Sequence, residues 1–518
     1  MAERENKYDA IIIGAGVGGL VCGNYLVRNG KKVLILEHGR AVGGNISGIR
    51  RKGYFFDAGS QSTENVGILF PILEELGLYN PNDWDQADWR WMTPDCDVVL
   101  RNFEQIRTDF KNYFPESSSD IDAWFDFIEP GCNLMKDLMG GTPFPLLQRG
   151  AERYRTMAKM AKVGLPMLKL MPETFRKSGS EKGREIFRDP RLAFLFGEFG
   201  NENMLLFMYY SFWYSFLYDY TYPKGGLVAL AYMLADSFKE KGGEIKLSST
   251  VDKVLTSGNT AIGVEIADGE QFYAEKIVNT GNTKRLFTEM CDPALFPKKL
   301  LARNKNGDVS ISVVTAFLGL DMYDSELAEK HKVHHTLYWR TYGTNTDIYD
   351  PELHRKSWAM TSWVSMHDKS LAPEGKNSMI VQIPMPYDWM NGWGTGSADP
   401  MARNDTYKVL KEKVLDDIIE DMEYMIPGIR DKVEYKELAT PRTLSRYTLN
   451  PEGSIMGWSY DMYKTPLFGR FVQFKTPVKN LYLAGHYSIW PGGIVFSALT
   501  GKLVAEGMYE GFGKVLLW

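Results

Sequence analysis

The stretch YDAIIIGAGVGGLVCGNYLVRNGKKVLILE, residues 8–37, constrains the fold more than any other part of the chain. Its two apolar runs, Ala10 to Ile13 and Val33 to Leu36, suit short strands buried on both faces of a parallel sheet. Between them stand Gly14, Gly16 and Gly19 in the spacing G-x-G-x-x-G, so the pattern predicts strand, tight turn, helix and second strand. The first glycine permits the turn, the second lets backbone amides approach a pyrophosphate, and the third lets helix and strand pack closely. Gly18 lies in the same turn and belongs to the predicted site. Glu37 ends the second strand, 23 residues after Gly14, where a carboxylate accepts both ribose hydroxyls of an adenosine and repels a 2′-phosphate. The unit reads as a dinucleotide site, with the helix N-terminus turned to the phosphates.

The rest of the composition narrows the class. With 518 residues, 44% hydrophobic and 24% charged, the chain reads as folded and multidomain. A net charge of −5 argues against a nucleic-acid partner, which needs a strongly basic surface. Cys22, Cys96, Cys132 and Cys291 lack zinc or C-x-x-C spacing, so free thiols, no structural metal and a reducing compartment are expected. The polar start MAERENKYDA has no apolar signal core, and no stretch offers about twenty apolar residues for a membrane span. A cytoplasmic location is the expectation.

The segment EHGRAVGGNISGIRRKGYFFDAGS, from Glu37 to Ser60, carries a glycine pair at Gly43 and Gly44 and then Gly53-x-x-Phe56-Asp57-x-Gly59. It resembles the FAD-binding start of the flavin amine oxidase superfamily. YPKGGLVALAYMLADSFKEKGG and the strands after it, residues 222–281, resemble the block that returns the chain to the FAD domain, and NLYLAGHYSIWPGGIVFSALTGKLVAEGM resembles the C-terminal element. The resemblance implies FAD as cofactor and an α/β fold: a Rossmann-like FAD-binding domain of the glutathione reductase type with a discontinuous α+β substrate domain. The FAD domain is expected to comprise residues 1–70, 222–290 and 476–518, and the substrate domain 71–221 and 291–475.

The same resemblance implies that Gly43, Gly44, Gly59 and Ser60 approach the cofactor and that Val251 meets the adenine through its backbone. Asn45 stands where many relatives carry a phosphate-binding arginine. His486, after Gly485, replaces a common acidic residue and is read as a partner of the ribityl chain, a proton carrier or a structural histidine. A helix beginning near Gly493 and Ile494 would aim its positive end at the flavin N1 and C2 carbonyl, where reduction accumulates negative charge.

Two middle segments bear on the substrate. Residues 149–177 hold eight Lys/Arg against two Glu, with Met157, Met160, Val163, Leu168 and Met171 at helical spacing. That pattern fits peripheral contact with an anionic membrane, or equally a solvated face over a core. Residues 209–222 pack nine aromatics into fourteen positions, an apolar wall in which Tyr220 and Tyr222, with Trp490 from the C-terminal block, are the predicted substrate contacts. GWGTGS at 392–397 follows no strand and is expected to be a loop.

ATPRTLSRYTLNPEGSIMGW and YPKGG are most similar to the phytoene desaturase, carotenoid isomerase and retinol saturase branch. That resemblance implies an FAD enzyme acting on carbon–carbon double bonds of an isoprenoid or polyene. A flavin amine oxidase is the nearest alternative, and a prenyl-lipid carrier of the GDP dissociation inhibitor type is the non-enzymatic one. No catalytic side chain is named by the sequence, and the oligomeric state is open. Glu37→Arg should lower FAD content in the purified protein, measured from flavin absorbance against protein; an unchanged ratio would place the carboxylate away from the ribose.

Overall fold

The computed structural model describes residues 7–139, 145–148, 150–158, 161, 173–174, 176–198, 204–343, 346–461 and 472–512. Two seven-stranded sheets organise them. The first is built on a parallel run in which Lys7–Ile13 lies between Val33–Leu36 and Gln271–Asn279, with Glu244–Lys246 at one edge. Alternation in Val33–Leu36 shows why such runs are continuously apolar: Val33 and Ile35 join the core beneath the helices, whereas Leu34 and Leu36 join the opposite core. The antiparallel pair Val251–Ser257 and Thr260–Ile266 continues the sheet, and the turn at Asp268-Gly269 leads into Gln271–Asn279.

The strand Gln271–Asn279 is shared by distant parts of the chain. Its first half pairs with Thr260–Ile266, and its last three residues pair in parallel with Leu481–Leu483. Helices Val17–Arg28, Leu227–Glu240 and Ile494–Glu510 cover one face, contributing Leu20, Val21, Leu234, Ala498 and Leu503 to a common core. The first and last of these helices cross backbone to backbone. A Cβ at Gly501 would lie 2.4 Å from the Gly18 carbonyl oxygen, and one at Gly18 would lie 3.0 Å from Gly485 Cα. Both helices therefore start beside the same space.

The second sheet runs in the order Val433–Ala439, Val313–Leu320, Asn377–Pro384, Trp358–Trp363, His335–Trp339, Trp89–Met92 and Asp97–Leu100. All pairs are antiparallel except His335–Trp339 with Trp89–Met92, which are parallel. Its outer face carries the helix Asp405–Met425, which places Val414, Leu415, Ile418 and Met422 against Val314, Ala316 and Leu318. Its inner face turns Val313, Leu337, Trp339 and Met360 towards the interior of the protein.

A helical cap completes this half. Phe103–Tyr113, Ser118–Met139, Pro190–Gly197 and Leu206–Tyr218 meet in a core dominated by Trp91, Trp124, Phe196 and Trp213. Edge-to-face and tilted pairs such as Phe110–Phe196, with centroids 4.7 Å apart, suit the quadrupoles of aromatic rings. In GWGTGS, Gly392 and Trp393 close the short left-handed helical turn Trp389–Trp393 and only the remainder is loop; Gly392, Gly394 and Gly396 all have positive φ, and the buried Arg442 guanidinium ties the segment down by donating to the Ser397 carbonyl. Most of the basic segment 149–177 lies outside the described residues; residues 150–158 are helical.

Gly501→Ala should destabilise the protein by about 1–3 kcal/mol, because the added methyl meets a carbonyl rather than a flexible side chain. The check is a lowered thermal midpoint together with reduced flavin retention.

Candidate functional site

A cavity of about 1270 Å³ opens at the carboxyl ends of the parallel strands, the usual ligand crevice of such sheets. Gly14, Glu37, Thr280 and Gly485 all line it, each just beyond a strand end. The cavity continues past Gly43, Gly44, Asn45, Gly59 and Ser60 to Gly493 and Ile494, and then into a chamber walled by aromatic and aliphatic side chains. The fingerprint turn is fixed from several sides: the Gly14 amide donates to Leu36 O, the Gly43 amide to Ala15 O, and the Thr280 hydroxyl to Ile13 O.

The Glu37 carboxylate is held in place by backbone. Oε2 accepts from the Ala15 amide at 2.7 Å and Oε1 from the Gly39 amide at 2.6 Å. Each oxygen keeps a lone pair for a further donor such as a ribose hydroxyl. Neither helix that starts at the cavity, Val17–Arg28 or Ile494–Glu510, has a side-chain cap; their N-caps are Gly16 and Gly493. Their first amides are thus left to a ligand. A Cβ built on Gly16 or Gly493 meets nothing within 4 Å, so at both places the backbone borders open cavity that any side chain would enter. Among the described lining residues the only Lys or Arg is Arg153, so the uncapped helix ends at Gly16 and Gly493 border the cavity with peptide dipoles.

The structure brings together most of the residues singled out in the sequence. Gly14, Gly16, Gly18, Glu37, Gly43, Gly44, Asn45, Gly59, Ser60, Gly485, His486, Gly493, Ile494, Tyr220 and Trp490 all line this one cavity. Gly19 does not; a Cβ there would lie 2.1 Å from Gly14 O, which gives it a packing role. Val251 also stands outside the lining, and its carbonyl accepts from Arg285. Asn45 lines the cavity, but its amide donates to Ile455 O across the chain.

Tyr222 corrects the expectation of substrate contact. It is fully buried outside the cavity, and its hydroxyl donates to Asp57 Oδ2 at 2.6 Å. Asp57 Oδ1 accepts from the Leu227 amide at 2.9 Å, so the aspartate of the Gly53–Gly59 segment anchors the start of helix Leu227–Glu240. Burial raises the Asp57 pKa to about 7 against these two donors. Within the aromatic run the helix Leu206–Tyr218 divides by face. Phe207, Met208, Ser211, Phe212, Ser215 and Phe216 line the chamber, while Tyr209, Tyr210, Trp213 and Tyr214 pack in the cap core.

Sequence reasoning missed the wall supplied by the second sheet, Leu337, Trp339, Trp358, Met360 and Gln382, and it missed Gln61 and Glu64. Gln382 Nε2 donates to Gly59 O at 2.8 Å, joining the sheet to the cofactor half. Gln61 Nε2 is buried beside the cavity without a hydrogen-bond partner, a donor free for a ligand. Strand alternation in 313–384 could have offered the sheet residues as candidates; nothing local marks Glu64. Away from the cavity, Glu352, His354 and Asp417 have metal-ligand spacing, but Asp417 is already bonded to Lys413, His354 and Arg355.

A two-helix dinucleotide crevice opening into an apolar chamber defines the class as that of a flavin-dependent oxidoreductase. The chain belongs to the flavin containing amine oxidoreductase family, whose pattern matches residues 17–508. It is an enzyme and its cofactor is FAD. It is similar to prolycopene isomerase 1 of an Oncidium hybrid cultivar, 24% identical over 99% of this chain and 85% of that protein. It is also similar to the all-trans-retinol 13,14-reductase of Danio rerio, 24% identical over 96% of this chain and 84% of the other. A 4,4′-diapophytoene desaturase of Methylomonas sp is 26% identical over 85% of this chain and 83% of its own length. Among solved structures, an oxidoreductase from Methanosarcina mazei shares the fold with TM-score 0.59 and 17% identity, covering 96% of this chain and 100% of that one.

The open space at Gly16 and Gly493 and the uncapped helix ends fit FAD. His486 faces this space, and burial drives its pKa down to about 4. The imidazole should therefore stay neutral from about pH 8 down to about pH 6; ring nitrogen shifts in NMR should not move across that range, and a midpoint near neutrality would overturn the assignment.

Proposed function

We propose that this flavoenzyme acts on carbon–carbon double bonds of a long apolar substrate of the isoprenoid or polyene class, by desaturation, saturation or isomerisation. The observation that carries the reading is the continuity of the cavity: the glycine cradle of the flavin end runs without a break into a chamber walled by Trp89, Phe212, Phe216, Leu337, Trp339 and Trp358. Such walls offer a conjugated chain large apolar contact and exclude water. The relatives' names supply the reaction class, since they are an isomerase, a reductase and a desaturase of polyenes.

In this reading Gly14, Gly16, Gly18, Glu37, Gly43 and Gly44 hold the adenosine diphosphate end, with Asn45, Gly59 and Ser60 along the middle. Gly485, His486, Gly493 and Ile494 hold the flavin end. The bound flavin supplies two-electron chemistry; the protein supplies placement and exclusion of water. Amides at the start of helix Ile494–Glu510 stabilise negative charge beside them, and Tyr220 and Trp490 border the substrate.

Substrate enters from a membrane surface. Met157 lines the cavity and is 44% exposed, which marks a mouth, and its neighbour Tyr154 is 62% exposed. Both belong to the basic segment 149–177, whose lysines and arginines suit anionic headgroups. Among the described residues no helix is long and apolar enough to cross a membrane; the contact proposed is peripheral.

Anaerobic mixing of the purified flavoprotein with carotenoid or retinoid polyenes, and separately with simple amines, tests the reading. Polyenes should change the flavin spectrum of the oxidised or the reduced enzyme, or should isomerise in product analysis, and amines should do neither. Bleaching by amines alone would overturn it.

A further inference from the structure

Within the apolar chamber one carboxyl stands out. The described residues that line the cavity include two carboxylates, Glu37 and Glu64. Glu37 is committed to two backbone amides in the nucleotide half. Glu64 lines the space together with Trp89, Phe216, Tyr220 and Tyr460, and an apolar chamber has no reason to hold an acid for packing.

The backbone places this carboxyl deliberately. Thr63 and Thr221 exchange both backbone hydrogen bonds, at 3.0 and 2.8 Å, in an antiparallel bridge. Glu64 and Tyr220 are the next residues out from that bridge and stand opposite each other, and both line the cavity, with the Tyr220 hydroxyl acting on the Glu64 carboxyl. On the far side Asp219 Oδ2 accepts from the Asn65 and Val66 amides at 2.9 and 2.7 Å, which fixes the chain just after Glu64. The Tyr220 ring is held in turn between Trp89, with centroids 5.0 Å apart, and Phe216, at 5.8 Å.

We infer that Glu64, positioned by Tyr220, is the group that passes a proton to or from a substrate carbon in the chamber. The inference rests on the double-bond reading above. In the saturating direction the Glu64 O–H bond breaks and its proton forms a C–H bond at one carbon of the double bond. The two electrons and the second hydrogen are those that reduced flavin supplies, the π bond is consumed, and Glu64 is left as a carboxylate that regains a proton from water. In the desaturating direction the carboxylate takes up the same proton.

The surroundings favour the acid form. Among the described residues the titratable groups that act on Glu64 are Tyr220, Asp219 and Tyr460, and none of these is a cation. Burial raises the Glu64 pKa, with a smaller push from Asp219, against the Tyr220 hydroxyl and the Glu64 backbone amide, which lower it.

Three measurements test the inference. In apoprotein, infrared difference spectra between wild type and Glu64→Gln recorded across a pH series should contain a carboxyl band whose midpoint lies above that of an exposed glutamate; a midpoint at the ordinary glutamate value would overturn the inference without reference to turnover. With a polyene that wild type converts, Glu64→Gln should lose at least about 100-fold in rate at unchanged flavin content, with Glu64→Asp partly restoring it. Tyr220→Phe keeps the ring contacts and removes the hydrogen bond that lowers the pKa, so it should move the Glu64 limb of the pH–rate profile to higher pH. A Glu64→Gln enzyme as fast as wild type would end the inference and leave the double-bond reading standing. A wild type inert towards every polyene would end both.

Discussion

The structure depends on a close crossing of two helices from opposite ends of the chain. Val17–Arg28 and Ile494–Glu510 touch where Gly18 and Gly501 leave no room for a side chain. The crossing lies at the start of Val17–Arg28 and near the middle of Ile494–Glu510; the N-caps of both helices, Gly16 and Gly493, border one cavity, so the positive ends of both peptide dipoles face it. Among the described residues Arg153 is the only lysine or arginine that lines the cavity, so peptide amides supply most of the positive potential there.

Beyond the cradle the cavity changes character. Amides, Glu37 and small residues give way to indole and phenyl rings from the helix Leu206–Tyr218 and from the inner face of the second sheet. Gln382 marks the seam, since its side chain belongs to the sheet and its hydrogen bond goes to the Gly59 carbonyl of the cofactor half. Polar atoms near the chamber are mostly paired inside the protein, as His335 is with Ser62 and Ser362. Among the described residues, Gln61 Nε2 and Trp89 Nε1 are exceptions, buried donors at the cavity without a hydrogen-bond partner.

How much of this was legible beforehand follows from the range of each signal. The first βαβ unit could be read because strand runs, glycine spacing and Glu37 are local and mutually consistent. The C-terminal glycines became informative only beside the family resemblance, since nothing in WPGG states which distant turn it faces. The assignment of Tyr222 failed because its direction is set by Asp57, 165 positions away, and period-based reasoning cannot see such a partner. In the aromatic run, one face of the helix Leu206–Tyr218 borders the cavity, and which face does so is decided by the cap core behind it. Glu64 was invisible for the same reason: its meaning comes from a two-residue bridge to Thr221, not from its neighbours in sequence.

The strand Gln271–Asn279 has a consequence for biogenesis. Its two flanks are taken by Lys7–Ile13 and by Leu481–Leu483, segments more than 460 residues apart in the sequence. At ribosomal speeds of about 5–20 residues per second, the nascent amino-terminal unit waits tens of seconds for its closing strand, with apolar sheet edge uncovered meanwhile. Such a topology leaves the central sheet incomplete until residues 481–483 are made, and the side of the cavity formed by Gly485 and Gly493 is absent until then.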